Sequence, residues 1–293
     1  MSGGLKEVRS RITSVQSTRQ ITQAMKMVSA AKLRRAQDAI TKMRPYARKL
    51  QEILSNVSSS LDSTEGKFSA QREGKKTLII AITSNRGLCG GFNNNVIKEV
   101  TRMAKEDFSG HNVSVLSLGK KAADIFKKTK YYTADGFGKD VHGIWDDLTF
   151  DNTAVIAQEL MDQFESGDWD RIFIAYNAFK NAAVQIVTTE QFLPVAPPEN
   201  HGAQPANLDY IFEPNKEDIV ERIIPNSLKV QLFKALLDSR ASEHGARMTA
   251  MHKATDNASD LIKELKLTYN KARQAAITNE ILEIVGGAEA LKG

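Results

Sequence analysis

The sequence predicts an α/β chain in which a long antiparallel coiled coil of N- and C-terminal helices carries an inserted open α/β, Rossmann-like domain. Three observations lead there: an apolar seam spaced alternately by three and four near the N-terminus, a second such seam near the C-terminus, and β-type runs alternating with helical ones between them. The first seam reads Leu5, Val8, Ile12, Val15, Arg19, Thr22, Lys26, Ser29, Leu33, Ala36, Ile40, Met43, Ala47, Leu50, Leu54, Val57 and Leu61. Thirteen of these seventeen positions are apolar, as a coiled-coil face requires. The four polar ones are consecutive, and over them the apolar residues move to Ile21, Ala24, Met25 and Val28, the drift expected of a straighter helix. Pro45 falls inside the pattern without changing its phase, so it predicts a kink rather than an end.

The second seam reads Leu237, Ala241, His244, Met248, Met251, Thr255, Ala258, Ile262, Leu265, Tyr269, Ala272 and Ala276, with only His244 and Thr255 out of place. Its helix is expected to begin near residues 225–227, because proline is favoured in a first helical turn. At 1.5 Å per residue both helices would run for roughly 85 to 100 Å, longer than a compact domain needs. A polar side chain buried against an apolar seam is costly unless paired, so the two interruptions should face each other. Matching their centres makes opposed residue numbers total about 273 or 274 and sets Met25 near Met248, leaving roughly 25 C-terminal residues to project.

Between the seams, residues 77–83, 113–118, 171–175 and 184–189 read as strands, and residues 93–108, 120–128 and 152–164 as helices. The expected domains are an N-terminal shaft helix over 1–62, an α/β domain over 75–195 and a C-terminal shaft helix within 208–293. A Ser-, Gly- and charge-rich stretch at 58–76 and a Pro-containing one at 194–205 join them.

With 41% hydrophobic and 26% charged residues the chain is composed like a folded water-soluble protein, and its longest apolar run, residues 78–82, is far short of the roughly 20 that a membrane-spanning helix needs. The basic N-terminus lacks the apolar core of a secretory signal, so the chain is expected to stay in the cytoplasm. One cysteine, Cys89, excludes an intrachain disulfide, and the five histidines show no metal-ligand spacing, so neither metal nor cofactor is expected. Residues 1–50 hold twelve Lys or Arg against Glu7 and Asp38, a net of +10, while the remainder sums to −5. That asymmetry points to an acidic partner, and both nucleic acid and acidic protein loops satisfy it.

Residues 84–93, SNRGLCGGFN, follow a strand and precede a helix, where a phosphate loop would sit. They match neither GxxxxGK[ST] nor GxGxxG, and a tight turn that uses its glycines for close packing explains them better. This turn closely resembles a segment of the gamma subunits of F-type ATP synthases, with Asn85 where the family usually carries Asp. Residues 19–33, RQITQAMKMVSAAKL, resemble that family's first shaft helix, and residues 269–288, YNKARQAAITNEILEIVGGA, its C-terminal signature.

The resemblance implies a central stalk, one copy per complex, whose coiled coil enters a ring of alternating alpha and beta subunits and whose α/β domain forms a foot on a proton-driven membrane c-ring. It sets Met25, Lys26, Arg247, Arg273, Gln274 and Thr278 near the beta-subunit loops, and Tyr210 and Glu213 near the epsilon subunit and the c-ring. Ile281, Leu282, Ile284 and Val285 could form an apolar bearing. The expected location is the cytoplasmic face of a bacterial inner membrane, bound peripherally. The subunit would carry no active site and would bind no nucleic acid. The main alternative is a nucleic-acid-binding protein with a basic coiled-coil arm, which would lack a recognisable binding module.

Overall fold

A computed structural model describes residues 2–58, 67–69, 72–134, 137, 141–195 and 216–290. Beside a π-helical turn and a 3-10 turn, the described residues form five α-helices and five strands: α1 (Ser2–Ser58), β1 (Lys76–Ile82), α2 (Phe92–Arg102), β2 (Asn112–Leu118), α3 (Lys120–Phe126), β3 (Tyr132–Thr133), α4 (Phe150–Glu165), β4 (Arg171–Phe179), β5 (Gln185–Leu193) and α5 (Lys216–Ala290). The chain divides into two compact units, one of residues 1–29 with 248–293 and one of residues 30–247.

In the larger unit the strands form one sheet in the order β3-β2-β1-β4-β5. β1 pairs in parallel with β2 and β4, β2 in parallel with β3, and β5 returns antiparallel along β4. A sheet whose central strands are parallel needs helices on both faces, and β1 shows why this sequence suits that place. Its residues from Thr77 to Ile82 are all buried. Leu78, Ile80 and Ile82 point to one side, where they meet Ala157, Leu160, Met161 and Phe164 of α4 and Leu228, Leu232 and Leu236 of α5. Ile79 and Ala81 point to the other, against Val96 and Val100 of α2 and Ala122 and Phe126 of α3. The two-residue alternation of a strand thus builds two cores from one apolar run.

The expected strands and helices are present, with differences at their limits. The two-residue β3 is too short to carry a period, and β5 extends to Leu193 because Phe192 and Leu193 turn into the α4 side of the core. α2 widens into a π-helical turn at Met103–Asp107, closed by Phe108 N donating to Met103 O at 2.9 Å. α1 continues past Pro45, as expected. α5 begins at Lys216, well before the expected start at residues 225–227, and takes Pro225 into its interior. The lost backbone hydrogen bond at Pro225 is outweighed by the packing that follows at once, since Leu228, Val230 and Leu232 are all buried.

In the smaller unit the N-terminal part of α1 lies antiparallel to the C-terminal part of α5. Thr255 Oγ1 donates to Thr22 Oγ1 at 2.9 Å, and Lys26 Nζ meets His252 Nδ1 at 3.4 Å. Opposed numbers therefore total 277 and 278, about one helical turn away from the expected 273 or 274. Of the two residues that bracket the C-terminal interruption only Thr255 meets the polar stretch of α1, at Thr22, while the His244 ring is held inside the larger unit by Arg247.

The drift expected over residues 19–29 is also absent. Thr22 and Ser29 are buried, while Ile21, Met27 and Val28 stand 56–61% exposed, so the seven-residue phase holds straight through the polar stretch. The polar seam is tolerated because its groups find partners: Ser29 Oγ donates to Met25 O at 2.7 Å and Thr255 Oγ1 bridges to Thr22. With this register Ser2 opposes a position near residue 275, and residues 280–290 are all exposed. The unpaired end is accordingly shorter than the 25 residues expected, and Arg273 and Gln274 fall beside the start of α1 rather than beyond it.

Candidate functional site

Two features stand out, a helix pair that exposes basic and apolar residues, and a glycine turn built into the sheet. In the smaller unit, Met25 and Lys26 are half-buried at the seam, and Lys26 shares His252 Nδ1 with Asp256, whose Oδ2 lies 3.3 Å from the same atom. Arg273, Gln274 and Thr278 are exposed, and Thr278 Oγ1 donates back to Gln274 O at 3.0 Å. Ile281, Leu282, Ile284 and Val285 are 54–66% exposed on the last turns of α5. Four large apolar side chains so close together on one helix end form an exposed apolar patch. Tyr210 and Glu213 lie outside the described residues.

The glycine turn belongs to the larger unit. It leaves the carboxyl end of β1, the central strand at which the chain's crossovers change direction, since β2 and β3 lie to one side and β4 and β5 to the other. Open α/β sheets place ligands in the crevice at such a switch point. Here the crevice is filled by α5. Asn177, at the end of β4, donates through Nδ2 to Phe92 O at 3.1 Å and accepts at its carbonyl from Ser242 Oγ at 3.0 Å. Cys89 and Phe92 pack on Ala246. Gly245 passes so close to the β4–β5 hairpin that a Cβ there would stand 3.1 Å from Ala182 O, which explains a glycine in the middle of a helix.

Arg247 completes the arrangement. It is 8% exposed. Nη2 donates to Arg86 O at 3.1 Å and Gly87 O at 3.2 Å, and Nη1 is locked by Glu243 Oε1 at 2.6 Å. The side chain expected to face a partner's loops is therefore spent inside its own chain. His244 Nδ1 lies 3.4 Å from the same Nη1. A guanidinium can only donate, so Nδ1 accepts and the ring is neutral. Burial, followed by the charges of Arg247, Lys32 and Arg240, pushes the His244 pKa down to about 3.

The chemistry open to the turn is limited. Both ends of the turn are tied internally, with Ser84 N on Asn93 Oδ1 and Phe92 N on Cys89 O. Burial raises the Cys89 thiol pKa and so holds it protonated, the opposite of an activated nucleophile. What the turn does present is Leu88, 64% exposed at φ 63°, beside a shallow hollow of about 330 Å³ lined in part by Ile97, Lys121 and Ile125.

Sequence reasoning missed Glu243 as the partner of Arg247, although their four-residue spacing on a helix was a usable signal. It also missed Leu88, because nothing in the string SNRGLCGG tells which residue takes the left-handed conformation.

The family model described as ATP synthase matches residues 4–291. The ATP synthase gamma chain of Flavobacterium psychrophilum is 63% identical over 290 residues, covering 99% of each chain, and that of Geotalea uraniireducens is 46% identical over 291 residues, again 99% of each. This chain belongs to the ATP synthase gamma-chain family. Family membership accounts for both long helices and the inserted domain together, since the match spans them all. A chain of the Euglena gracilis mitochondrial ATP synthase, from a structure containing OSCP, F1 and the c-ring, has the same fold at a TM-score of 0.71 and 23% identity, with 99% of this chain and 95% of that one covered. A chain of the Tetrahymena thermophila central stalk and c-ring structure matches at 0.56 and 25% identity, covering 80% and 99%. The nucleic-acid reading finds no support among these similarities.

Proposed function

We infer that this chain is the gamma subunit of a proton-translocating F-type ATP synthase, the rotating central stalk that couples ion flow through a membrane ring to ATP synthesis or hydrolysis at the beta subunits. The observation that carries the reading is the full-length family match together with a helix pair whose free end is apolar and exposed. The subunit itself is non-catalytic. Its switch-point crevice is occupied by α5, and its one thiol is buried and held protonated.

The partners proposed are the alpha and beta subunits, the epsilon subunit and the c-ring, with one copy of this chain per complex. Exposure supports Arg273, Gln274 and Thr278 as contacts to beta-subunit loops, and Met25 and Lys26, half-buried farther along the pair beside His252, are proposed as further contacts. Ile281, Leu282, Ile284 and Val285 supply an apolar bearing, and Tyr210 and Glu213 are assigned by resemblance to the epsilon and c-ring side. Arg247, assigned by resemblance to the same loops, has its donors engaged within the larger unit. No described helix is long and apolar enough to cross a membrane, which fits peripheral attachment at the cytoplasmic face of a bacterial inner membrane.

Basic helix surface opposite acidic loops gives attraction that varies gradually with angle and is screened by solvent, whereas a dry, interlocked interface would resist turning. The test is reconstitution with alpha and beta subunits. The expected result is an assembled ring containing a single copy of this chain, ATP hydrolysis that requires the ring, and rotation of a bead fixed to the α/β domain. Tight ATP binding or turnover by the purified chain alone, or failure to assemble, would overturn the reading.

A further inference from the structure

The crevice that most open α/β sheets keep for a ligand here holds a helix of the same chain, and the way it holds that helix has a mechanical consequence. Along α5 the grip is polar at two stations. At the first, Glu190 on β5 accepts from Tyr176 Oη at 2.6 Å and lies 3.4 Å from Lys234 Nζ, with Gln231 Nε2 donating to Gln191 O at 3.1 Å. At the second, Ser242 holds Asn177 O, and Arg247, braced by Glu243, holds the carbonyls of Arg86 and Gly87. Arg247 is also the last residue of the larger unit; α5 continues from residue 248 in the other.

We propose that Arg247 is a torque clamp: its guanidinium, held by Glu243, locks α5 against turning about its own axis relative to the glycine turn. The proposal rests on the reading of the chain as a rotating stalk and adds the place where twist passes between helix and α/β domain. Apolar contacts such as Ala246 on Cys89 and Phe92 are non-directional and yield to small rotations. Hydrogen bonds to two successive carbonyls do not. A helix with its side chains is about 10–12 Å across, so a turn of roughly 5° moves a group at its rim by about 0.5 Å. That shift carries a bond of 3.1 Å past the range in which hydrogen bonds hold. The Arg86 carbonyl is itself held, because Ser84 Oγ donates to it at 2.6 Å and Asn93 Nδ2 holds Ser84 Oγ at 2.9 Å.

The side-chain type matters as much as its charge. A guanidinium offers a planar fork that serves Glu243 and both carbonyls at once, whereas an ammonium is a point donor on a flexible stem. Lysine at 247 would keep the charge and lose the lock.

The test uses the assembled complex, with a bead on the α/β domain and the ring fixed, and reads the angular variance of the bead during catalytic dwells. Arg247→Lys and Glu243→Gln should each widen that variance about twofold or more. A third variant, Lys234→Met, removes one contact of the first station and leaves the fork intact, so it should widen the variance less than either. Amide hydrogen exchange at residues 87–89 should accelerate in Arg247→Lys and remain at the wild-type rate in Lys234→Met. Variance unchanged in both fork variants, in complexes that rotate, would overturn the clamp while leaving the stalk reading intact. Equal widening in all three variants would also overturn it, by showing that general loosening and not the fork sets the stiffness. Absence of rotation in the wild-type complex would instead sink the stalk reading.

Discussion

His244 offers a direct measurement of how tightly the helix is held. Its ring accepts from Arg247, is buried, and faces the additional positive charges of Lys32 and Arg240, which together bring its pKa to about 3. In the unfolded chain a histidine titrates near 6.5. Between these values the unfolded state binds a proton that the folded state does not, so stability is greatest above about pH 6.5 and is lost as pH falls toward 3. The slope is about 1.4 kcal/mol per pH unit, and by pH 5 the accumulated loss is roughly 2 kcal/mol from this one residue. That is a large share of the 5–15 kcal/mol typical of a folded domain. Asp238, whose buried carboxyl titrates above its ordinary value, contributes the opposite slope at acid pH, so the histidine must be isolated by difference. His244→Gln provides the reference: glutamine can accept from Arg247 and does not titrate. Urea unfolding of both proteins, followed by the fluorescence of Trp145 and Trp169 in the larger unit, should show the wild type losing about 2 kcal/mol more than the variant between pH 7.5 and 5. Parallel pH profiles, within about 0.5 kcal/mol, would show that the ring is protonated or reaches solvent in the folded state and would refute the argument.

Two further outcomes test the helix register and the close approach of Gly119 to Thr83. After Cys89 is replaced, cysteines at Thr22 and Thr255 should form a disulfide under mild oxidation, because their hydroxyls are 2.9 Å apart, while cysteines at Met25 and Met248 should not; the reverse would restore the register read from the seams alone. Gly119 adopts φ 144° with Thr83 O in the space a Cβ would need, so Gly119→Ala should lower the melting temperature of the larger unit and cost upwards of about 2 kcal/mol in the same urea assay, whereas Gly110→Ala, at φ 84° in open surroundings, should cost about half as much or less.

The fold class and the two shaft helices were legible because they rest on periodicity, and periodicity is a property of the string. A seam that repeats every seven residues can bury one face only against another such seam, and the alternation of Leu78 to Ile82 can serve only a strand covered on both sides. The polar stretch from Arg19 to Ser29 was visible for the same reason, and so was its need for a polar counterpart. Its counterpart's position was not, because register depends on which hydroxyl reaches which, and Thr22 with Thr255 outcompetes any match of interruption centres. The direction of the seam over those residues was misread because local apolarity favours turning Ile21 and Val28 inward, while the paired hydroxyls and the helix on either side keep them out.

Arg247 shows the limit most clearly. On sequence it is one more basic residue on a shaft helix, fit for an acidic partner. Only the return of α5 to the carboxyl end of β1 brings the carbonyls of Arg86 and Gly87 within reach of its fork, across some 160 residues of chain. The sequence by itself determined the family, the long helices and the layered sheet, since each follows from local pattern or motif. Tertiary structure alone decided the helix register, the plugged crevice and the burial of Arg247, because each depends on a long-range contact whose partners share no local pattern.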